Sequence, residues 1–135
     1  MKQIHTTFII IILISYSCKS QDKNLIGKYT SSPLNSLEKR SYKTNKYIKG
    51  MVLNLRNDST YHYNTCGIIL EGKWEVKKDS LLLKISKMRF ANDSINKIRT
   101  PKKRDDFLIY KIENKKLIGF IKEGKATRIN KLKMN

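Results

Sequence analysis

From Leu25 onward the chain carries runs in which apolar side chains return at every second position, broken by polar turn pairs about every eight to twelve residues over much of its length. A period of two sends alternate residues to opposite faces of a strand, so this stretch is built for half-buried sheet and not for helix. Leu25–Tyr29 reads as a short first strand. Residues 30–47 are polar and irregular, with a helical turn at Ser36–Lys39. Met51, Leu53 and Leu55 then share one face, with Asn54 and Arg56 opposite, and the Asn57-Asp58 pair turns the chain into the alternating run Thr60–Asn64. Gly67–Lys77 places Gly72, Trp74 and Val76 on one side and Lys73, Glu75 and Lys77 on the other. After Lys78-Asp79, a strand with Leu81, Leu83 and Ile85 on one face runs toward Phe90. A basic loop over 91–105 follows, then strands at Phe107–Glu113, Leu117–Lys122 and Ala126–Lys133, punctuated by Asn114-Lys115 and Glu123-Gly124. The expected fold is all-β: an antiparallel meander of about eight strands closing into a small barrel, since closure removes exposed edges. A barrel of that size is filled by side chains or holds one small cavity.

The chain ahead of this pattern is of another kind. Met1-Lys2 gives a positive start and Phe8–Ile14 is an unbroken apolar run. Seven residues make about 10 Å of helix, far less than the roughly 30 Å of a bilayer core, so the run fits the apolar region of a secretory signal peptide. Ser15-Tyr16-Ser17-Cys18, followed by the polar stretch Lys19–Asn24, resembles the lipobox of bacterial lipoproteins. Ser15 stands in place of the usual leucine and Tyr16 in place of a small residue. The resemblance implies diacylglycerylation of the Cys18 thiol and cleavage before it. The organisation expected is a signal peptide over 1–17, a lipidated tether over 18–24 and a barrel domain over 25–135. The protein would then be membrane-anchored in the cell envelope of a Gram-negative bacterium, at the outer membrane.

Cleavage there leaves 118 of the 135 residues, enough for one domain. The formal charge of +18 changes by only one, because Lys2 is the one charged residue removed. Isoleucine, lysine and asparagine make up 52 of the 135 residues, a bias that accounts for much of the basicity without any partner. With Cys18 lipidated, Cys66 is the single remaining thiol, and no intramolecular disulfide is available.

A second resemblance is carried by hairpin motifs between residues 25 and 90. Leu25-Ile26-Gly27-Lys28-Tyr29 looks like the opening strand of small bacterial lipocalin-like lipoproteins. Leu53-Asn54-Leu55-Arg56-Asn57-Asp58-Ser59-Thr60-Tyr61 is similar to their L-x-L-x-x-D-G-T-Y hairpin, with Ser59 for glycine. Gly72-Lys73-Trp74 followed by Asp79-Ser80-Leu81-Leu82-Leu83 resembles their G-x-W and D-T-L-x-L pair. In true lipocalins the G-x-W lies on the first strand, whereas here it is mid-chain. The resemblance implies the barrel and leaves its role open, since such barrels host many functions.

Tyr61, Tyr63 and Trp74 fall on neighbouring strands. They either pack the core or line a cavity for a small apolar ligand. Lys97, Arg99, Lys102, Lys103 and Arg104 crowd the basic loop. They read as a solvated loop or as a contact with anionic lipid headgroups, and the aromatic interleaving that a single-strand nucleic-acid binder uses is missing from them. His62 and Cys66 carry borderline and soft ligand atoms, but four residues on a strand span about 13 Å, so a buried thiol and a cross-strand histidine are expected, with no metal site. Asp105 and Asp106 are adjacent and point to opposite faces, and Glu71 and Glu75 are expected to be solvated. No cofactor, catalytic group or nucleic-acid partner is expected. The function expected is an anchored binding or structural module, the alternative being a protein-interaction module, an inhibitor or accessory subunit of an envelope complex, that uses its basic surface.

Overall fold

The computed structural model describes residues 23–44, 46–102, 105–123 and 126–135. The segment expected to be a signal peptide, Cys18, Lys103 and Arg104 lie outside the described residues. Eight antiparallel strands follow one another around a closed barrel: β1 (Gly27–Ser31), β2 (Met51–Leu55), β3 (Thr60–Thr65), β4 (Ile68–Lys77), β5 (Ser80–Phe90), β6 (Phe107–Glu113), β7 (Lys116–Glu123) and β8 (Ala126–Met134). Closure is made by β1 against β8, with Tyr29 opposite Met134 and Ser31 opposite Leu132. Among the described residues two short helices interrupt the series, α1 (Ser36–Ser41) between β1 and β2 and α2 (Asp93–Asn96) between β5 and β6. Among the described residues no helix is long and apolar enough to cross a membrane.

The first strand starts two residues later than the alternation suggests. Lys23–Leu25 forms a 3-10 turn, and the buried Leu25 takes a hydrogen bond on its carbonyl from the Tyr29 hydroxyl at 2.8 Å. The turn packs Leu25 into the same core cluster as Tyr29 instead of extending the edge of the sheet. At the β2–β3 turn, Asp58 Oδ1 accepts from the backbone N–H and hydroxyl of Thr60, which hold its carboxyl below the usual range. Ser59 beside it takes a left-handed φ of 65°, the conformation that glycine adopts most easily.

One end of the barrel is solid. Tyr29, Leu53, Leu55, Tyr61, Trp74 and Leu83 are buried there, and Trp74 Nε1 donates to the Arg56 carbonyl at 3.0 Å. A β-bulge between β4 and β5 sits just beyond. Glu71 pairs with Lys87 and Gly72 with Ile85, so Ser86 has no partner of its own. The extra residue shifts parity: Leu81, Leu83 and Ile85 face inward before it, and Met88, opposite the buried Leu70, faces inward after it.

The 32–50 segment covers the outer face of β7 and β8. Leu34 is buried against Ile118 and Ile129, with Tyr42 and Tyr47 packed on them, and Ile129 exchanges backbone hydrogen bonds with Lys46 and Ile48. Under this cover Lys131 is 5 % exposed, and its ammonium reaches Glu38 Oε2 at 2.6 Å and the Pro33 carbonyl at 3.1 Å. Glu38 also closes a capping box with Asn35 at the start of α1. Burial pushes the Glu38 carboxyl up, but the Lys131 hydrogen bond, the Asn35 N–H and the charges of Lys131 and Lys116 outweigh it and hold the group below its ordinary value. A depressed folded-state pKa contributes stability above the unfolded value, near 4.5, that is lost as pH falls through the folded value. Urea unfolding at pH 7 and pH 3 is therefore expected to show a smaller acid loss for Glu38→Gln than for the parent, with the variant less stable at pH 7 because Lys131 is left buried without its counter-charge.

Candidate functional site: a half-hollow barrel

The other end of the barrel is open. A cavity of about 920 Å³ lies between the solid core and the loop joining β5 to β6. Met51, Leu70, Ile85 and Met88 form its apolar walls, and the β5 tip at Phe90 and the loop at Pro101 and Lys102 border its mouth.

A buried polar triangle forms part of the lining. The hydroxyls of Tyr63 and Tyr110 are 2.7 Å apart, and Asn130 Nδ2 is 2.6 Å from each. Three contacts this short need a hydrogen on every edge. With the Asn130 amide nitrogen in the triangle, its two N–H groups serve both tyrosines and one phenol serves the other. The Tyr63 hydroxyl also lies 3.0 Å from Met51 Sδ. The reverse orientation would leave two hydroxyl hydrogens for three edges, so the amide nitrogen belongs inside the triangle. Asn130 Oδ1 is then a buried acceptor with no protein partner. Burial pushes the phenols of Tyr63 and Tyr110 above their ordinary pKa, Tyr110 well above it with the neighbouring Tyr63 adding to the effect, so both are neutral near pH 7. Gly119, on β7, makes room for the Tyr110 ring; a β-carbon there would stand 2.8 Å from Tyr110 Cε1.

Of the three aromatic candidates read from the sequence, only Tyr63 lines this cavity. Tyr61 and Trp74 belong to the solid end, and burial raises the Tyr61 phenol to about 12. In the basic loop, the Arg99 guanidinium stands 5.2 Å from the centre of the Phe90 ring and Lys102 lines the cavity with Asp105, while Lys97 caps the end of α2. The Asn96 side chain ties the loop to the end of β5 through two 2.8 Å hydrogen bonds with the Phe90 backbone.

His62 and Cys66 are not brought into a common site. His62 Nδ1 meets Glu71 Oε1 across the β3–β4 ladder at 3.1 Å, and this contact, aided by the charges of Lys87 and Arg89, outweighs burial and holds Glu71 below its ordinary pKa. Cys66 is exposed, which corrects the expectation of a buried thiol. It occupies the β3–β4 turn with a φ of 34°, and its Sγ lies 2.6 Å from the Lys49 carbonyl. Among the described residues no three His, Cys, Asp or Glu side chains gather as a metal site would require. Glu75 pairs with Lys77 at 3.0 Å, and Asp105 and Asp106 are exposed.

Tyr110 and Asn130 escaped the sequence reading. Asn130 lies between Ile129 and Lys131, whose side chains are buried on the outer face by the 32–50 segment, so polarity does not mark which face of β8 points inward. No family model, curated protein or solved structure gives a significant match to the chain.

Proposed function

We propose that the chain is a lipid-anchored protein of the bacterial cell envelope whose barrel holds a small apolar ligand, acting as a binding module and not as an enzyme. The observation that carries this reading is the cavity. Its volume of about 920 Å³ falls in the range of small-molecule sites, and mainly aliphatic and aromatic walls with a few polar groups are the usual composition of such sites. The neutral phenols and the amide of the triangle favour a ligand whose buried part is uncharged. Lys102 and Arg99 at the mouth suit a nearby anionic headgroup, each cation contributing about 1 kcal/mol at an anionic surface. The envelope location rests on the signal-peptide pattern and on Cys18 as the acylated residue, with two or three acyl chains needed for firm anchoring.

Titration with cis-parinaric acid, a fluorescent polyene fatty acid, tests the cavity. Protein expressed from the full sequence is expected to bind it saturably at one site, and Met88→Trp, which fills the cavity from its wall, is expected to remove that binding while the far-ultraviolet spectrum is kept. Binding that does not saturate, or that survives Met88→Trp, overturns the cavity reading. A protein that binds no probe and instead retains one defined envelope protein supports the interaction-module alternative. In cells, palmitate labelling should be lost with Cys18→Ala; labelling that persists in the variant overturns the anchor.

A further inference from the structure

The barrel wall is not paired along its whole height. Among the described residues, β6 and β7 are joined only by Lys111 with Ile118, Ile112 with Leu117, and Glu113 with Lys116, beside their connecting turn. Above Lys111, β6 still pairs with β5 as far as Phe107 opposite Lys84, and β7 still pairs with β8 out to Glu123 opposite Ala126. Each strand thus keeps its outer neighbour while the two part from each other. The result is a notch that runs down the wall from the open end.

The cavity lining shows that this notch reaches the interior. Tyr110 and Gly119 face inward, Tyr110 into the core and Gly119 opposite the buried Asn130. Ile109 and Phe120 are their outward-facing neighbours, 62 % and 53 % exposed. All four line the same cavity. A cavity closed behind an intact sheet would touch inward-facing residues only, because successive side chains point to opposite faces. This one touches both sets on both strands, so it passes through the wall. The edge is also apolar where sheet edges are normally charged: Phe107 and Ile109 on β6 and Phe120 on β7 are exposed there. Tyr42, packed edge-on to Phe120 at 5.6 Å, steadies the β7 side from the outer cover.

We infer that the ligand enters and leaves sideways through the notch between β6 and β7, as a single slender apolar chain that slides between the exposed Ile109 and Phe120. This rests on the cavity being the ligand site. A slot between two strand edges admits one extended chain more readily than a broad rigid ring system, and its apolar lips shield that chain during transfer from a lipid phase.

The ladder register supplies the test. Extending the Lys111–Ile118 pairing by two residues sets Ile109 opposite Phe120. A chain carrying Cys18→Ser, Cys66→Ser, Ile109→Cys and Phe120→Cys can be stapled across the notch by oxidation, or by a short bis-maleimide if the two positions are too far apart for a disulfide. Exchange of cis-parinaric acid is followed by stopped-flow fluorescence in stapled and unstapled samples of this one protein. Stapling, confirmed by mass, is expected to slow both association and dissociation by about tenfold or more, with reduction restoring them in the disulfide form. Unchanged exchange in the stapled protein overturns lateral entry while leaving the cavity as the site. Absence of saturable binding in the parent chain overturns the cavity reading itself.

Discussion

Gly72→Ala is expected to lower the stability of the folded barrel by about 3 kcal/mol or more, and Gly72→Val to prevent folding at 37 °C. The cause is backbone contact and not conformational freedom. A β-carbon at Gly72 would overlap the Lys84 carbonyl and press on the Ser86 amide, both main-chain atoms of the bulge on β5. A flexible side chain could swing away, but a carbonyl held in a sheet moves only with its strand. Relief would require undoing the bulge, and that would reverse the parity of β5 and turn Met88 away from the interior. Urea unfolding followed by far-ultraviolet circular dichroism measures the effect, with Lys73→Ala on the exposed face of the same strand as a control expected within about 0.5 kcal/mol of the parent. A Gly72→Ala chain as stable as the control would show that the close approach to β5 is not needed.

Trp74→Ala is the second large effect, expected at about 3–5 kcal/mol. Trp74 is 2 % exposed at the centre of the solid end, and its truncation leaves a void among Leu53, Leu83 and their neighbours and leaves the Arg56 carbonyl with the Ser59 N–H, at 3.3 Å, in place of the closer indole donor. Trp74→Phe separates the two contributions. It keeps most of the packing and loses the hydrogen bond, and is expected to cost about 1–2 kcal/mol. Because Trp74 is the sole tryptophan, circular dichroism and not intrinsic fluorescence must compare the variants. A loss below about 1 kcal/mol for Trp74→Ala would mean that the solid end does not anchor the fold.

The strands were legible because a half-buried sheet writes itself into sequence at period two. Phe107–Glu113 matches β6 at both ends, and the other strands from β2 onward lie within a few residues of the alternation. Three things were not legible, each for a physical reason. The bulge at Ser86 resets the period without leaving a mark such as proline, so Met88 could not be assigned to the inside from Leu81, Leu83 and Ile85. The cover over β7 and β8 buries Ile118, Ile129 and Lys131 on the outer face, so burial there follows a distant segment and not the local pattern. The cavity is a volume that side chains leave empty, set by where Gly119 and Tyr110 fall around the barrel, and alternation carries no information about it. Of the candidate site, Tyr63 and Lys102 were readable as residues of the right kind, while Asn130 needed the register of β8 to reveal it.

The barrel's division into a solid end and a hollow end has an evolutionary consequence. Trp74 and Tyr29 share one continuous core with Leu70, Ile85 and Met88, but only the latter three line the cavity, so the foundation and the pocket draw on different positions. Selection can reshape the hollow end one side chain at a time, trading methionine for leucine or isoleucine for valine, while the solid end holds the fold together. Such an architecture can change its guest without rebuilding its walls, and descendants with the same barrel are free to diverge in what they carry.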